Sequence, residues 1–196
     1  MKKPIVWMML TAVAITGHAQ LTVAGLSVFN QERYNLNKKA FVVLGSWSAV
    51  SIISGIAGQA GSGGEAKYFH QMNIIWGSVN MLIALPGYIS ARKSKSDLSL
   101  AASLKGQAAT EKIFIFNAGL DIAYLAAGAW LLEKGNSSSH TDRYKGYGKS
   151  VLLQGAALLL FDAVMFTTHH RHGKKIYRSL EGLQAGPNSL GFNLSF

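Results

Sequence analysis

Asp121 and Asp162 are the residues whose chemistry most needs explaining, because each is the single charged residue of a long apolar stretch, Ile113 to Leu132 and Ser150 to His170. If those stretches are antiparallel helices, Asp121 sits about eight residues from the start of one and Asp162 about eight from the end of the other. Both then lie about 12 Å below the same surface. Asn117, Asp121, Tyr124 and Gly128 share one helix face, as do Asn73, Gly77 and Asn80, while Gln154 and Asp162 stand two turns apart. Ser48 falls at the same depth and Asn80 slightly deeper, so each of four helices can contribute to one polar layer. Level carboxylates in a dry interior can share a proton or hold a cation, because an isolated carboxylate there is expensive. The alternative is that Asn, Gln and Asp only hydrogen-bond across helices, each bond contributing on the order of 0.6–2 kcal/mol. A third reading makes Asp121 and Asp162 an intramembrane catalytic pair.

Four apolar stretches must carry these residues. Between Lys39 and Glu65 there is no Asp, Glu, Lys or Arg, and the run from Ala40 to about Gln59 is long enough to cross a bilayer. The others run from Tyr68 to Ala91, Ile113 to Leu132 and Ser150 to His170. Only 14% of the 196 residues are charged and 49% are apolar, with a mean hydropathy of +0.19, which argues against a water-soluble enzyme. Helices of a soluble bundle keep a charged face, which these lack, and strands are disfavoured because sustained alternation is absent and Ala, Leu and Gly abound. The expected fold is all-α: a four-helix transmembrane bundle over 40–170. The formal charge of +10 sits mostly between the apolar runs, so the anionic neighbour is a lipid headgroup rather than nucleic acid.

Lys2 and Lys3, an apolar run from Ile5 to Ile15 and the small residues Gly17 and Ala19 read as a cleaved secretory signal over 1–19. An extracytoplasmic segment follows over 20–39, and residues 171–196 form a basic juxtamembrane segment and extended tail. A signal peptide directs the mature N-terminus outward and leaves Lys67, Lys134, Arg143, Lys145 and Lys149 inside against twelve basic residues outside, the reverse of the usual bias. The two orientation signals disagree. The bacterial inner membrane is the expected location, with the outer membrane as alternative because Leu190 to Phe196 alternates like a closing barrel strand.

Local signals add detail. Gly61 to Gly64 and Gly135 to His140 are linkers, and Asp97 is placed to cap a short interfacial helix carrying Leu98, Ala101, Ala102 and Leu104. Pro86-Gly87 should kink or end the second span. Ser48, Ser51, Gly55 and Gly58 form one small-residue contact stripe, and Gly119, Ala123 and Ala127 another. His169-His170-Arg171-His172 reads as a solvated anchor rather than a metal or haem site. Gly146-Tyr147-Gly148 lacks the context of a potassium filter, and Gly61 to Gly64 lacks that of a phosphate loop. No cysteine is present, which removes thiol nucleophiles and thiolate metal sites. No metal or cofactor is expected.

The segments Tyr68-Phe69-His70-Gln71-Met72-Asn73 with Trp76 and Asn80, Glu111-Lys112 with Phe116 to Asp121, and Gly146 to Lys149 with Gln154-Gly155 and Phe161-Asp162 resemble an uncharacterised family of small bacterial four-helix membrane proteins. The likeness extends over residues 68–171. It implies the architecture and assigns no activity.

The expected function is that of a small multi-pass membrane protein, not an enzyme, with no catalytic residue assigned. Its inward polar layer of Asn73, Asn80, Asn117, Asp121, Tyr124, Gln154 and Asp162 either fixes helix contacts or binds a proton, cation or small ligand. The bilayer is its first partner. An accessory role in a larger cell-envelope complex, or self-association, is the alternative.

Overall fold

The computed structural model describes residues 23–184; the signal peptide and the alternating tail read from the sequence lie outside them. The described residues form four helices and no strand: α1 (Val23–Ala60), α2 (Gly64–Lys93), α3 (Leu100–Asn136) and α4 (Thr141–Gln184). They contain 38, 30, 37 and 44 residues, so they run about 45–66 Å at 1.5 Å per residue. All four are long and apolar enough to cross a membrane of about 30 Å hydrocarbon thickness, with several turns left over.

The helices are more continuous than the local sequence signals suggest. α2 continues through Pro86 to Lys93, so the proline does not end the span. α3 is one helix from Leu100, and its N-terminal cap is Ser99, whose hydroxyl accepts from the Ala102 amide at 3.3 Å, rather than Asp97. There is accordingly no separate interfacial helix. The segment before Lys39 belongs to α1 from Val23 onward. Gly64 opens α2 with φ of +54°, a left-handed backbone that suits glycine after the short Gly61–Gly63 link.

α1 packs on α2 and α3 on α4, and the two hairpins meet chiefly where α2 lies against α4. Glycines allow the close approaches. A Cβ on Gly128 would stand 3.0 Å from the Gly148 carbonyl oxygen, and one on Gly77 2.9 Å from that of Ser48. Gly55 abuts the His70 backbone in the same way, so the stripe on α1 is a contact face. The proposed stripe on α3 is not. Gly119 has open space around it, and Ala123 and Ala127 are exposed, because the inward face of α3 runs instead through Gln107, Phe114, Asp121, Gly128 and Gly135 at intervals of seven. Gly146 and Gly148 lie within α4 as contact points against α2 and α3.

Apolar clusters hold the two levels of the bundle. Leu26, Phe29 and Ile176 join α1 to α4 beyond the apolar spans, and Leu44, Ala84 and Leu158 join three helices in the middle. Large apolar side chains point outward from every helix, among them Ile53 at 67%, Leu82 at 74%, Phe116 at 65% and Leu160 at 68% exposure. Lipid, not water, is the solvent that accepts such a surface.

Gly128→Leu should force α3 off α4 and lower the melting temperature of the detergent-solubilised chain, with overpacking worth about 1–3 kcal/mol. Gly119→Leu, pointing into open space, should leave it unchanged or higher. Equal losses in both would contradict the assigned face of α3.

Candidate functional site

Asn73 and Gln154 belong to a closed network that ties three helices together. The Gln154 amide donates to Asn73 Oδ1 at 2.9 Å and to Ser51 Oγ at 3.1 Å, while its oxygen accepts from Trp47 Nε1 at 2.8 Å. Ser150 Oγ also donates to Asn73 Oδ1, at 2.8 Å. Asn73, Gln154, Ser51 and Ser150 are all buried. With its members paired inside the protein, this group needs nothing from outside and acts as a clamp. Ser48 is likewise occupied, donating to the Leu44 carbonyl of its own helix at 2.7 Å.

Asn80, Asn117, Asp121, Tyr124 and Asp162 are arranged differently. They line a cavity of about 370 Å³ between the hairpins, together with Phe41 and Leu44 of α1, Trp76 of α2 and Phe161 of α4. Asp121 and Asp162 face each other across the α3–α4 contact, with the Asn117 amide beside Asp162. All of Asn80, Asp121 and Asp162 are at most 4% exposed. Yet Asn80 Nδ2, Asp121 Oδ2 and Asp162 Oδ1 have no hydrogen-bond partner in the protein. A buried polar atom without a partner typically costs about 1–3 kcal/mol, and more for charged groups. Thus the single polar layer expected from the sequence divides into a satisfied part and an unsatisfied one, and only the second opens onto space.

The cavity has a closed end and an open side. Trp76 and Tyr124 meet edge to face with ring centres 4.8 Å apart, bridging α2 and α3. Beyond that pair the two helices do not pack against each other. Val79, Ile83, Ile113 and Leu120 line the cavity and remain 38–57% exposed, so its mouth faces the lipid. No Lys, Arg or His is among its lining residues.

A second polar region, missed by the sequence reading, sits where α1 and α3 begin and α4 ends. His172 lies between Gln107 Oε1 at 3.2 Å and Glu32 Oε2 at 3.1 Å, stacked on Phe29. Lys175 donates to the same Glu32 oxygen at 2.7 Å, and Gln107 donates to the His169 carbonyl at 2.7 Å. Arg33, 3% exposed, donates to the Ser103 carbonyl at 3.1 Å through space left by Gly106. The solvated-anchor reading therefore fails for His169 and His172, which are 0% and 6% exposed, although Arg171 does point outward. Asp162, His169 and Ile176 recur at intervals of seven, which is the signal that could have placed His169 indoors. No cluster of His, Asp and Glu able to hold a metal occurs among the described residues.

Stability should separate the two polar groups by sign. Gln154→Leu strips partners from Trp47, Ser51 and Asn73 and should destabilise the chain by about 1–3 kcal/mol. Asn80→Leu removes an unpartnered donor and should be neutral or stabilising in a melting experiment without added ligand. Destabilisation by both would mean that Asn80 is already satisfied.

No curated protein and no solved structure matches this chain. Residues 43–163, more than half of the chain and including every residue of both the clamp and the carboxylate pair, match the model of a family of unknown function, DUF6992, and the chain belongs to that family.

Proposed function

We propose that this chain is a small, non-enzymatic, multi-pass protein of the bacterial inner membrane that binds a proton, a cation or a small positively charged ligand between Asp121 and Asp162. The observation that carries this reading is that Asn80, Asp121 and Asp162, each with one buried polar atom that has no partner in the protein, line one cavity. Two facing carboxylates in a low dielectric need a shared positive charge, and the lining residues supply none. A purely structural role does not explain why one oxygen of each carboxyl group stays without a partner while the clamp is paired within the protein. Helical spans fit the inner membrane better than the outer, whose proteins span it as barrels.

A second reading, assembly with another membrane helix, is favoured by one observation. Gly119, Ala123 and Ala127 present a small-residue stripe outward, the surface on which helices associate in lipid. Ala123→Cys in this cysteine-free chain would then form a disulfide-linked dimer, or a crosslink to a partner, that cysteine at exposed Leu82 of α2 does not.

Binding between the carboxylates is tested by melting the full chain in nanodiscs while titrating acid, sodium, potassium and ammonium. A ligand at a hundred times its Kd stabilises by about 2.7 kcal/mol, a shift of several degrees. The wild type should respond to at least one of the four, and Asp121→Asn and Asp162→Asn should each lose that response. Identical responses in all three proteins would overturn the proposal.

A further inference from the structure

We infer that the cavity takes an amphipathic organic ammonium, an alkyl chain ending in an amine with a neighbouring oxygen, which reaches Asp121 and Asp162 sideways from the bilayer. This inference rests on the proposed binding between those carboxylates and specifies its ligand.

Four features select that chemistry. The first is charge: two carboxylates face each other and no basic side chain lines the space, so the positive charge comes with the occupant. The second is the wall. Phe41, Trp76, Phe114, Tyr124 and Phe161 surround the acids, and aromatic faces attract organic ammonium ions and alkyl groups. A bare metal cation instead wants a shell of about six to eight oxygens, which this wall does not offer.

The third is the hydrogen-bond inventory. Asp121 Oδ2 and Asp162 Oδ1 are free acceptors, which suit two N–H groups of one ammonium, whereas Asn80 Nδ2 is a free donor. A simple amine leaves that donor unused. An amine carrying a hydroxyl or ester oxygen close by satisfies all three atoms at once.

The fourth is the mouth. Val79 and Ile83 on α2, and Ile113 and Leu120 on α3, both line the cavity and face the lipid. A chain attached to the bound head leaves through that gap into the hydrocarbon. The volume of about 370 Å³ holds a headgroup and the first part of a chain, and lies within the usual range of about 300–1,000 Å³ for ligand pockets.

The experiment uses the full chain in nanodiscs of neutral lipid and compares five probes by melting-temperature titration. Sphinganine has chain, amine and hydroxyls; octadecylamine, of the same chain length, lacks the oxygens; octadecanol lacks the charge; octadecanoate reverses it; ethanolamine lacks the chain. The expected order of affinity is sphinganine, then octadecylamine, with octadecanol, octadecanoate and ethanolamine far weaker. Asp162→Asn and Asp121→Asn should each weaken sphinganine by about tenfold to a hundredfold, the effect of losing one charge-assisted hydrogen bond. Asn80→Leu should erase the preference of about threefold to tenfold for sphinganine over octadecylamine. Leu120→Trp, which narrows the mouth without touching the acids, should weaken sphinganine while leaving any response to acid or inorganic cations intact.

Equal binding of octadecanol and sphinganine would overturn the ionic assignment, and tighter binding of ethanolamine would overturn access from the bilayer. If acid or an inorganic cation stabilises the wild type through the aspartates while no amine does, this inference fails and the binding between Asp121 and Asp162 stands. If none of these probes acts, both fail. Variants that do not melt cooperatively are replaced by Asn117→Leu, also on the cavity wall, for which loss of sphinganine binding supports the inference and wild-type affinity counts against it.

Discussion

Hydrocarbon offers no hydrogen bonds, so a polar atom inside it must find its partner within the protein or hold one brought from elsewhere. Most features of this bundle follow from that constraint. It explains why Ser46, Ser48, Ser54, Ser78, Thr167 and Thr168 turn their hydroxyls back to carbonyls of their own helices. The same need makes the amide of Gln154 reach two helices at once. Asn80 Nδ2, Asp121 Oδ2 and Asp162 Oδ1 stand out among the buried atoms without a partner, which also include Asn30 Oδ1, His70 Nδ1 and both ring nitrogens of His169, because their residues line one cavity.

Glycine placement and polar placement are parts of one solution. The carboxylate of Asp121 can face Asp162 because α3 and α4 approach closely above and below that level, at Gly128 against Gly148 and at Gly173 beside Gln107. α2 comes near α4 at Gly146 but has no such approach to α3. The cavity is therefore the space left where one hairpin leans on the other along only part of its length. Aromatic rings close what glycines do not: Trp76 and Tyr124 bridge the two hairpins, while Phe114 and Phe161 meet edge to face within the second hairpin and wall the cavity there.

Much of this was legible in the chain itself. Lone acids in long apolar runs announced both the helices and the layer, because a charge in a greasy segment must point inward. Counting residues from helix ends sufficed to pair Asp121 with Asp162. What periodicity cannot reveal is whether a buried amide is satisfied, since Asn73 and Asn80 look alike in sequence and differ only in what faces them. The choice between two stripes of small residues on α3 failed for a related reason: Gly119 and Gly128 carry the same local signal, and only the partner helix distinguishes them. Histidines beside arginine and lysine looked solvated because the overhang of α1, which packs on His172, adds nearly five turns to the apolar run that marked the span, while Phe114 and Gln107 of α3 pack on His169.

The sevenfold spacing along α3 has a consequence for how the chain can vary. Gln107, Phe114, Asp121, Gly128 and Gly135 stay on one seam only if the helix is gently coiled and no residue is gained or lost between them. One inserted residue turns everything after it by about 100° and would carry a carboxylate, or the glycine that seats it, out into the oil. Length is thus a quantity this helix cannot trade, and the joint before Ser99 is tied as well, since Ser27 and Asn30 of α1 hold Ser96, which leaves the exposed joint after Asn136 as the freer of the two.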